Sequence, residues 1–194
     1  HSQSIVKVPS QAMVDSFLPP YKRGDKQLHP DNPITVAPQV NEDWLMEIRR
    51  QSDAGMRRAK GVGLAANQIG VRSQIFVMEC RGNVRYPKAK PFPLQAYLNP
   101  RIVRYSRGHE SDWEGCLSIP GYRGLVPRAK SVTFEAVTPQ GRKVKRTLTG
   151  FEARVFQHET DHLNGRFYVD RMPNLRAWTH LEEFNKRFLA RIRE

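Results

Sequence analysis

TGFEARVFQHETDHLNG, residues 149–165, contains a helix start, a helix stop and two histidines four residues apart. Thr149-Gly150-Phe151-Glu152 has the S/T-x-x-E spacing of a capping box, and Asn164-Gly165 supplies the stop, so the stretch predicts one helix over 150–163. Residues four apart on a helix lie one above the other, which lets His158 and His162 offer one imidazole nitrogen each to a common ion. Glu159, about a quarter turn round, can reach a water there without being a ligand, the position required of a general base. The competing explanation, two ordinary histidines beside a solvated glutamate, is weakened because the motif falls inside independently capped boundaries.

A hydrolytic metal site also needs a third protein ligand and an open position for water. Downstream, Asp170 and His180 are available, but neither fits the longer H-x-x-G-x-x-H continuation of the metzincins. Upstream, Cys116 in WEGCLSIPG is the stronger candidate: a thiolate suits Fe(II) or Zn(II), and Gly115 lets the backbone come close. For Cys116 alone, and for Cys80 at the end of an apolar run, a buried free thiol is the plainer reading.

Working outward from the helix, Val132–Val137 and Lys143–Leu148 read as a strand pair joined by Thr138-Pro139-Gln140-Gly141, with Pro and Gly at the second and fourth places of a type I turn. Gln95–Leu98, Ile102–Tyr105 and Gln74–Glu79 are further short strands. GVGLAANQIG reads as a small-residue link whose Gly61 and Gly63 end a helix running from Asn41 or Asp43 to about Lys60. Residues 81–93 form an exposed proline-rich loop. Trp178, Leu181, Phe184, Phe188 and Ile192 recur at spacings of three and four, predicting a C-terminal amphipathic helix whose other face is basic. Residues 1–40 read as an extended arm with one short strand near Ile34–Val36, and 41–194 as a single catalytic domain. The expected fold class is α+β, with antiparallel strands in small sheets packed around the central H-E-x-x-H helix.

In 194 residues with 39% hydrophobic and 26% charged side chains, the composition is that of a soluble globular protein. Two cysteines are too few for a disulfide framework and favour a reducing compartment. The opening residues lack a signal-peptide core, so the expectation is a bacterial cytoplasm or an organelle matrix (mitochondrion or plastid), not secretion. A formal charge of +13 is enough to attract a polyanion such as RNA. Segment 122–146, with seven basic residues and one acidic, reads as a half-buried sheet with a basic outer face.

Three segments together resemble the signature motifs of peptide deformylases: GVGLAANQ (61–68), EGCLS (114–118) and QHETDH (157–162). The resemblance extends from about Trp44 to Asp170. It departs at Asn67, where the family often has Pro or Thr, and in the first forty residues, which show no obvious GDP-x-L entry strand. It implies one divalent ion on Cys116, His158 and His162, Fe(II) in the cell with Zn, Ni or Co able to replace it. The implied reaction removes the formyl group from formyl-methionine of nascent polypeptides and releases formate. Metal coordination brings a water towards neutral pKa, and the resulting hydroxide attacks the formyl carbon. Glu159 takes the proton and returns it to the departing amine, while Gln68 and the backbone N–H of Leu117 stabilise the oxyanion. The extended substrate would pair with Val62 and Gly63 on one side and Gly115 on the other, with Val155 and His158 bordering the methionine pocket. Partners implied are the formyl-Met nascent peptide and, through the basic surface and C-terminal helix, the ribosome; no membrane and no specific DNA are expected. A different H-E-x-x-H peptidase, or a basic binding module without catalysis, are the competing functions.

Overall fold

Alternation of buried and half-buried residues marks the strand Ser131–Val137, whereas the strand Ile75–Cys80 is buried throughout. The computed structural model describes residues 23, 24, 28, 61–70, 72–82 and 89–189. In chain order these form β1 (Gly63–Ala65), a 3₁₀ turn (Ala66–Ile69), β2 (Ile75–Cys80), β3 (Phe92–Tyr105), β4 (His109–Cys116), β5 (Ile119–Ala129), β6 (Ser131–Val137) and β7 (Lys143–Thr149). Then come α1 (Gly150–Leu163), a 3₁₀ turn (Tyr168–Arg171), β8 (Thr179–His180) and α2 (Leu181–Phe184), which runs into a π turn over Asn185–Leu189. One sheet has the order β1-β2-β3-β6-β7 and the other β4-β5-β8. Every pairing is antiparallel, so the described chain is mostly antiparallel sheet with few helices.

Two expected strands prove to be one. β3 pairs β2 up to Leu98 and β6 from there on, with register shifts between Leu98 and Arg101 and between Ile102 and Arg104. Asn99 sits there at φ 50, a left-handed residue that absorbs the irregularity and lets a single strand serve two neighbours. At its other end β3 takes in Phe92 and Pro93, the last residues of the expected loop, because Phe92 pairs with Cys80 and is buried. GVGLAANQIG likewise is not a plain link: Gly63–Ala65 is an edge strand against β2, and Ala66–Ile69 coils beneath it. The β6–β7 turn closes as its chemistry requires, Gly141 N–H donating to Thr138 O at 2.9 Å with Gly141 at φ 79.

Helix α1 has the expected boundaries for a different reason at its start. Thr149 makes no side-chain cap; it is the last residue of β7, paired with Ser131. Gly150, at φ 60, turns the chain into the helix while its N–H donates to Lys130 O at 3.0 Å. Glu152 accepts instead from Gln95 Nε2 at 2.9 Å. The other end is a Schellman stop: Gly165 N–H reaches His162 O, Arg166 N–H reaches Asp161 O, and Gly165 is left-handed at φ 70.

The inner side of α1 drives Phe156 into a cluster with Phe76, Tyr97 and Phe134, ring centroids 4.2 to 5.4 Å from that of Phe156. Phe156→Ala would cost about 3–5 kcal/mol at such a site. Burial also pushes the Tyr97 phenol up to about 12. The basic outer face expected for 122–146 holds only in part. Arg123 and Arg128 point inward and are buried, as their carboxylate and carbonyl partners allow.

The helix expected from Asn41 or Asp43 to about Lys60, the strand at Ile34–Val36 and Ile192 lie outside the described residues. Trp178 precedes α2 rather than joining it: Thr179–His180 pairs with Tyr122 and Arg123 of β5, and Trp178 stacks on Tyr122 at 4.3 Å. Phe184 and Phe188 do share a face, against Trp113 at 5.1 and 5.0 Å. Gly24 and Leu28 keep the glycine-to-leucine spacing of the entry segment, and Leu28 is buried with Ile119, Val126, Phe167 and Tyr168. Arg23 N–H donates to Ser118 O at 2.9 Å, which ties this part of the arm to the Cys116 hairpin.

Candidate active site

β4 and β5 form a hairpin in which Cys116 pairs with Ile119, leaving Leu117 and Ser118 as the turn. That turn brings Cys116 to α1. Cys116 Sγ lies 3.3 Å from His162 Nε2, and one ligand atom each from Cys116, His158 and His162 falls within 4.8 Å of the others. Donors sharing a four-coordinate ion at ordinary Zn–S and Zn–N lengths stand roughly 3.5 Å apart, so the spacing fits one ion. Asp170 and His180 are elsewhere, on Arg23 and Phe167 N–H and on Glu182 N–H.

Electrostatics point the same way. Burial opposes the Cys116 thiolate, but the His162 and His158 imidazoles outweigh it and hold the thiol well below its usual range. Burial likewise opposes a charged His158, and hydrogen bonds with Cys116 and Glu114 raise it well above the ordinary value. The cluster thus favours a positive charge at its centre, which a divalent ion supplies in place of a proton.

His158 is oriented by a residue that sequence reasoning missed. Glu114 is buried and accepts from His158 Nδ1 at 2.8 Å, from Arg128 Nε and Nη2 at 2.9 Å each, and from Arg154 Nη1 at 2.7 Å. Burial would raise its carboxyl, but Arg128 and His158 keep it ionised well below the usual carboxylate range. An ionised carboxylate only accepts, so Nδ1 is the donor and Nε2 is left for an ion. Arg128 also meets Asp161 at 2.5 Å, which Arg171 holds at 2.7 Å. The one signal for this lattice was its position: Glu114 lies within EGCLS and Asp161 within QHETDH.

Across the site, Gln68 is buried at 2% exposure, which removes its reading as an exposed turn residue. Its Oε1 accepts from Ala65 N–H at 2.8 Å, and its Nε2 faces Ser118 Oγ at 3.1 Å and Cys116 Sγ at 3.8 Å. Asn67 Nδ2 donates to His162 O at 2.7 Å, so this departure from the family pattern pins the segment to α1. Glu159 is buried, its pKa is raised by burial, and its Oε2 has no hydrogen-bond partner among the described residues. A Cβ on Gly63 would overlap the Glu159 carboxylate, and one on Gly115 would overlap the Arg123 guanidinium. Val62 and Val155 belong to one apolar cluster beside these groups.

The polypeptide deformylase family model matches residues 32–178. Peptide deformylase 2 of Pseudomonas putida is 40% identical over 166 residues, covering 83% of this chain and 90% of the relative. Peptide deformylase 2 of a Nostoc species is 44% identical over 144 residues, covering 74% and 80%. The Met-Ala-Ser-bound crystal structure of a class I type b peptide deformylase from Acinetobacter baumannii superposes with a TM-score of 0.69 at 36% identity, covering 80% of this chain and 98% of that one. Among the described residues no helix is long and apolar enough to cross a membrane. Motifs, antiparallel fold and a cysteine–histidine cluster of matching order agree with these likenesses, and the chain belongs to the polypeptide deformylase family of enzymes.

Proposed function

We propose that the enzyme hydrolyses the formyl amide of formyl-methionine at the amino end of new polypeptides, with Cys116, His158 and His162 holding a divalent ion. The observation that carries this reading is Glu159: buried, raised in pKa, with one carboxylate oxygen unpartnered beside the three candidate ligands. Fe(II) is the ion favoured in the cell, and Zn, Ni and Co suit the same donors. When bound, it supplies the Lewis acidity that brings a water towards neutral pKa.

Glu159 accepts the proton that water loses as the new C–O bond forms at the formyl carbon. Its raised pKa then suits it to hand that proton to the leaving nitrogen as the C–N bond breaks, giving formate and a free amine. Gln68 Nε2 and the backbone N–H of Leu117 flank the place where the oxyanion develops. Gln68 is preset for this, because the Ala65 N–H fixes its Oε1 and so directs its Nε2 to the Cys116 side. Val62 and Gly63 of the β1 edge, with Gly115 opposite, receive the extended peptide, and Val155 and His158 border the methionine side chain.

Anaerobic purification with metal analysis, followed by formate release from formyl-Met-Ala-Ser, tests the assignment. Cys116→Ala loses metal and activity together; Glu159→Ala keeps the metal and loses about 10²- to 10⁴-fold in turnover. A Cys116→Ala protein with normal metal content and activity would sink the ligand set. The +13 charge and the exposed Lys186 and Arg187 also support ribosome docking. Reversing both charges should weaken cosedimentation with ribosomes and leave small-peptide turnover intact, and unchanged, salt-insensitive cosedimentation argues against docking.

A further inference from the structure

Helix α1 has a second polar side. At roughly 100° per residue, Gln157, Thr160, Asp161 and Asn164 lie opposite Val155, His158, Glu159 and His162. These four line a cleft of about 530 Å³ that the metal centre does not share. Its size falls among small-molecule pockets, roughly 300–1,000 Å³. Its apolar wall is Ile102, Tyr105 and Pro127, with Tyr105 exposed at 55% and available as a flat platform.

Polar accounting shows what the cleft lacks. Arg128 is occupied by Glu114 and Asp161, and Arg171 spends Nε and Nη2 on Asp161. Gln157 is used on both the N–H and the C=O of Ala129. Arg166 lines the same cleft, is exposed, and has no side-chain partner among the described residues. Thr160 lines it as well, with a buried hydroxyl that has no partner among the described residues. Asp161 is therefore neutralised, one guanidinium is not, and apolar side chains line the same cleft.

We propose that this cleft is a second ligand site, separate from the metal centre, for a small molecule carrying one carboxylate or phosphate group on a flat apolar ring. Arg166, with Arg171 beside the same cleft, takes the anion, and Tyr105 and Ile102 take the ring. Arg166 is the specificity group because, among the described residues, its guanidinium has no side-chain partner.

Amide shifts of the zinc-loaded protein, titrated with phenyl phosphate, benzoate, benzyl alcohol and inorganic phosphate, test this. Saturable shifts are expected at Ala129, Thr160 and Asn164 with phenyl phosphate, benzoate or both, and which one binds identifies the source of the anion. Arg166→Ala and Tyr105→Ala each weaken that binding by about fivefold or more, and Arg166→Ala leaves formate release unchanged. Arg166→Lys, which keeps the charge and loses the fork, falls between. The proposal is overturned by equal binding of benzyl alcohol, by inorganic phosphate binding as tightly as phenyl phosphate, by shifts confined to Val62 and Leu117, or by no saturation up to about 10 mM.

Discussion

The two walls of the site are held by opposite means. The wall made by α1 and the β4–β5 hairpin is a buried lattice of charge: Glu114 between Arg128, Arg154 and His158, and Asp161 between Arg128 and Arg171. The wall made by Gly63–Ile69 is nearly neutral, joined to the rest by the amides of Asn67 and Gln68 and by a glycine that lets Glu159 in. The proposed ligands Cys116, His158 and His162 must not move when an ion binds, and the paired charges around Glu114 and Asp161 provide that rigidity. A segment proposed to receive the peptide must leave room, and small side chains provide that. Substitutions within the charge lattice of the first wall should therefore act chiefly on stability, and those in Gly63–Ile69 chiefly on turnover.

Arg128→Ala is the largest test. It leaves Glu114 and Asp161 buried without their shared cation, so unfolding in urea should show a loss of about 3–5 kcal/mol, with weaker metal retention. Gln68→Ala is next: about 2.7–4 kcal/mol of barrier by formate release, with a loss of stability of about 1–3 kcal/mol from the buried Ala65 N–H left unmet, below that of Arg128→Ala. A large loss of stability in Gln68→Ala with unchanged turnover would erase the distinction between the walls.

Asp161 sharpens it further through pH. Burial acts to raise its carboxyl, but Arg171 and Arg128 win and hold it lower than usual. Its contribution is thus fully present above the unfolded value of about 3.9 and is lost as pH falls through the depressed folded value. Asp161→Asn should cost about 1.5–3 kcal/mol near pH 7. Its urea midpoint should also fall less steeply than the parent's as pH drops below about 4. Parallel pH curves for the two proteins would place the acid sensitivity elsewhere.

These walls also differ in how far the sequence exposed them. His158, Glu159 and His162 were legible because motif spacing on a helix converts directly into geometry; Cys116, on β4, came from thiolate chemistry and the family resemblance instead. The lattice was not, since Glu114, Arg128 and Asp161 pair only once β4, β5 and α1 have come together, and buried arginines leave no periodic trace. The reading of 122–146 as outwardly basic failed for that reason at Arg123 and Arg128. On the other wall, smallness was visible in GVGLAANQ, but β1 has three residues and owes its extended form to pairing with β2 rather than to its own propensity. The single strand β3 was split by Pro100 and Asn99, residues that mark a break in most strands and a bulge in this one.

The smallest expected effect concerns how α1 begins. S/T-x-x-E at Thr149 located the boundary, yet the Thr149 side chain caps nothing, and Glu152 bonds Gln95 instead. What fixes the start is the end of β7, the left-handed Gly150 and the grip of Arg154, which donates to Glu114, to Val126 O at 2.8 Å and to Glu110 O at 2.6 Å. Thr149→Ala should then cost clearly less than the roughly 1 kcal/mol of a working N-cap. Gly150→Ala, which forces a side chain into positive φ, should cost more. A full capping penalty at Thr149, measured by thermal unfolding, would mean that the helix carries its own start and that the charged wall merely receives it.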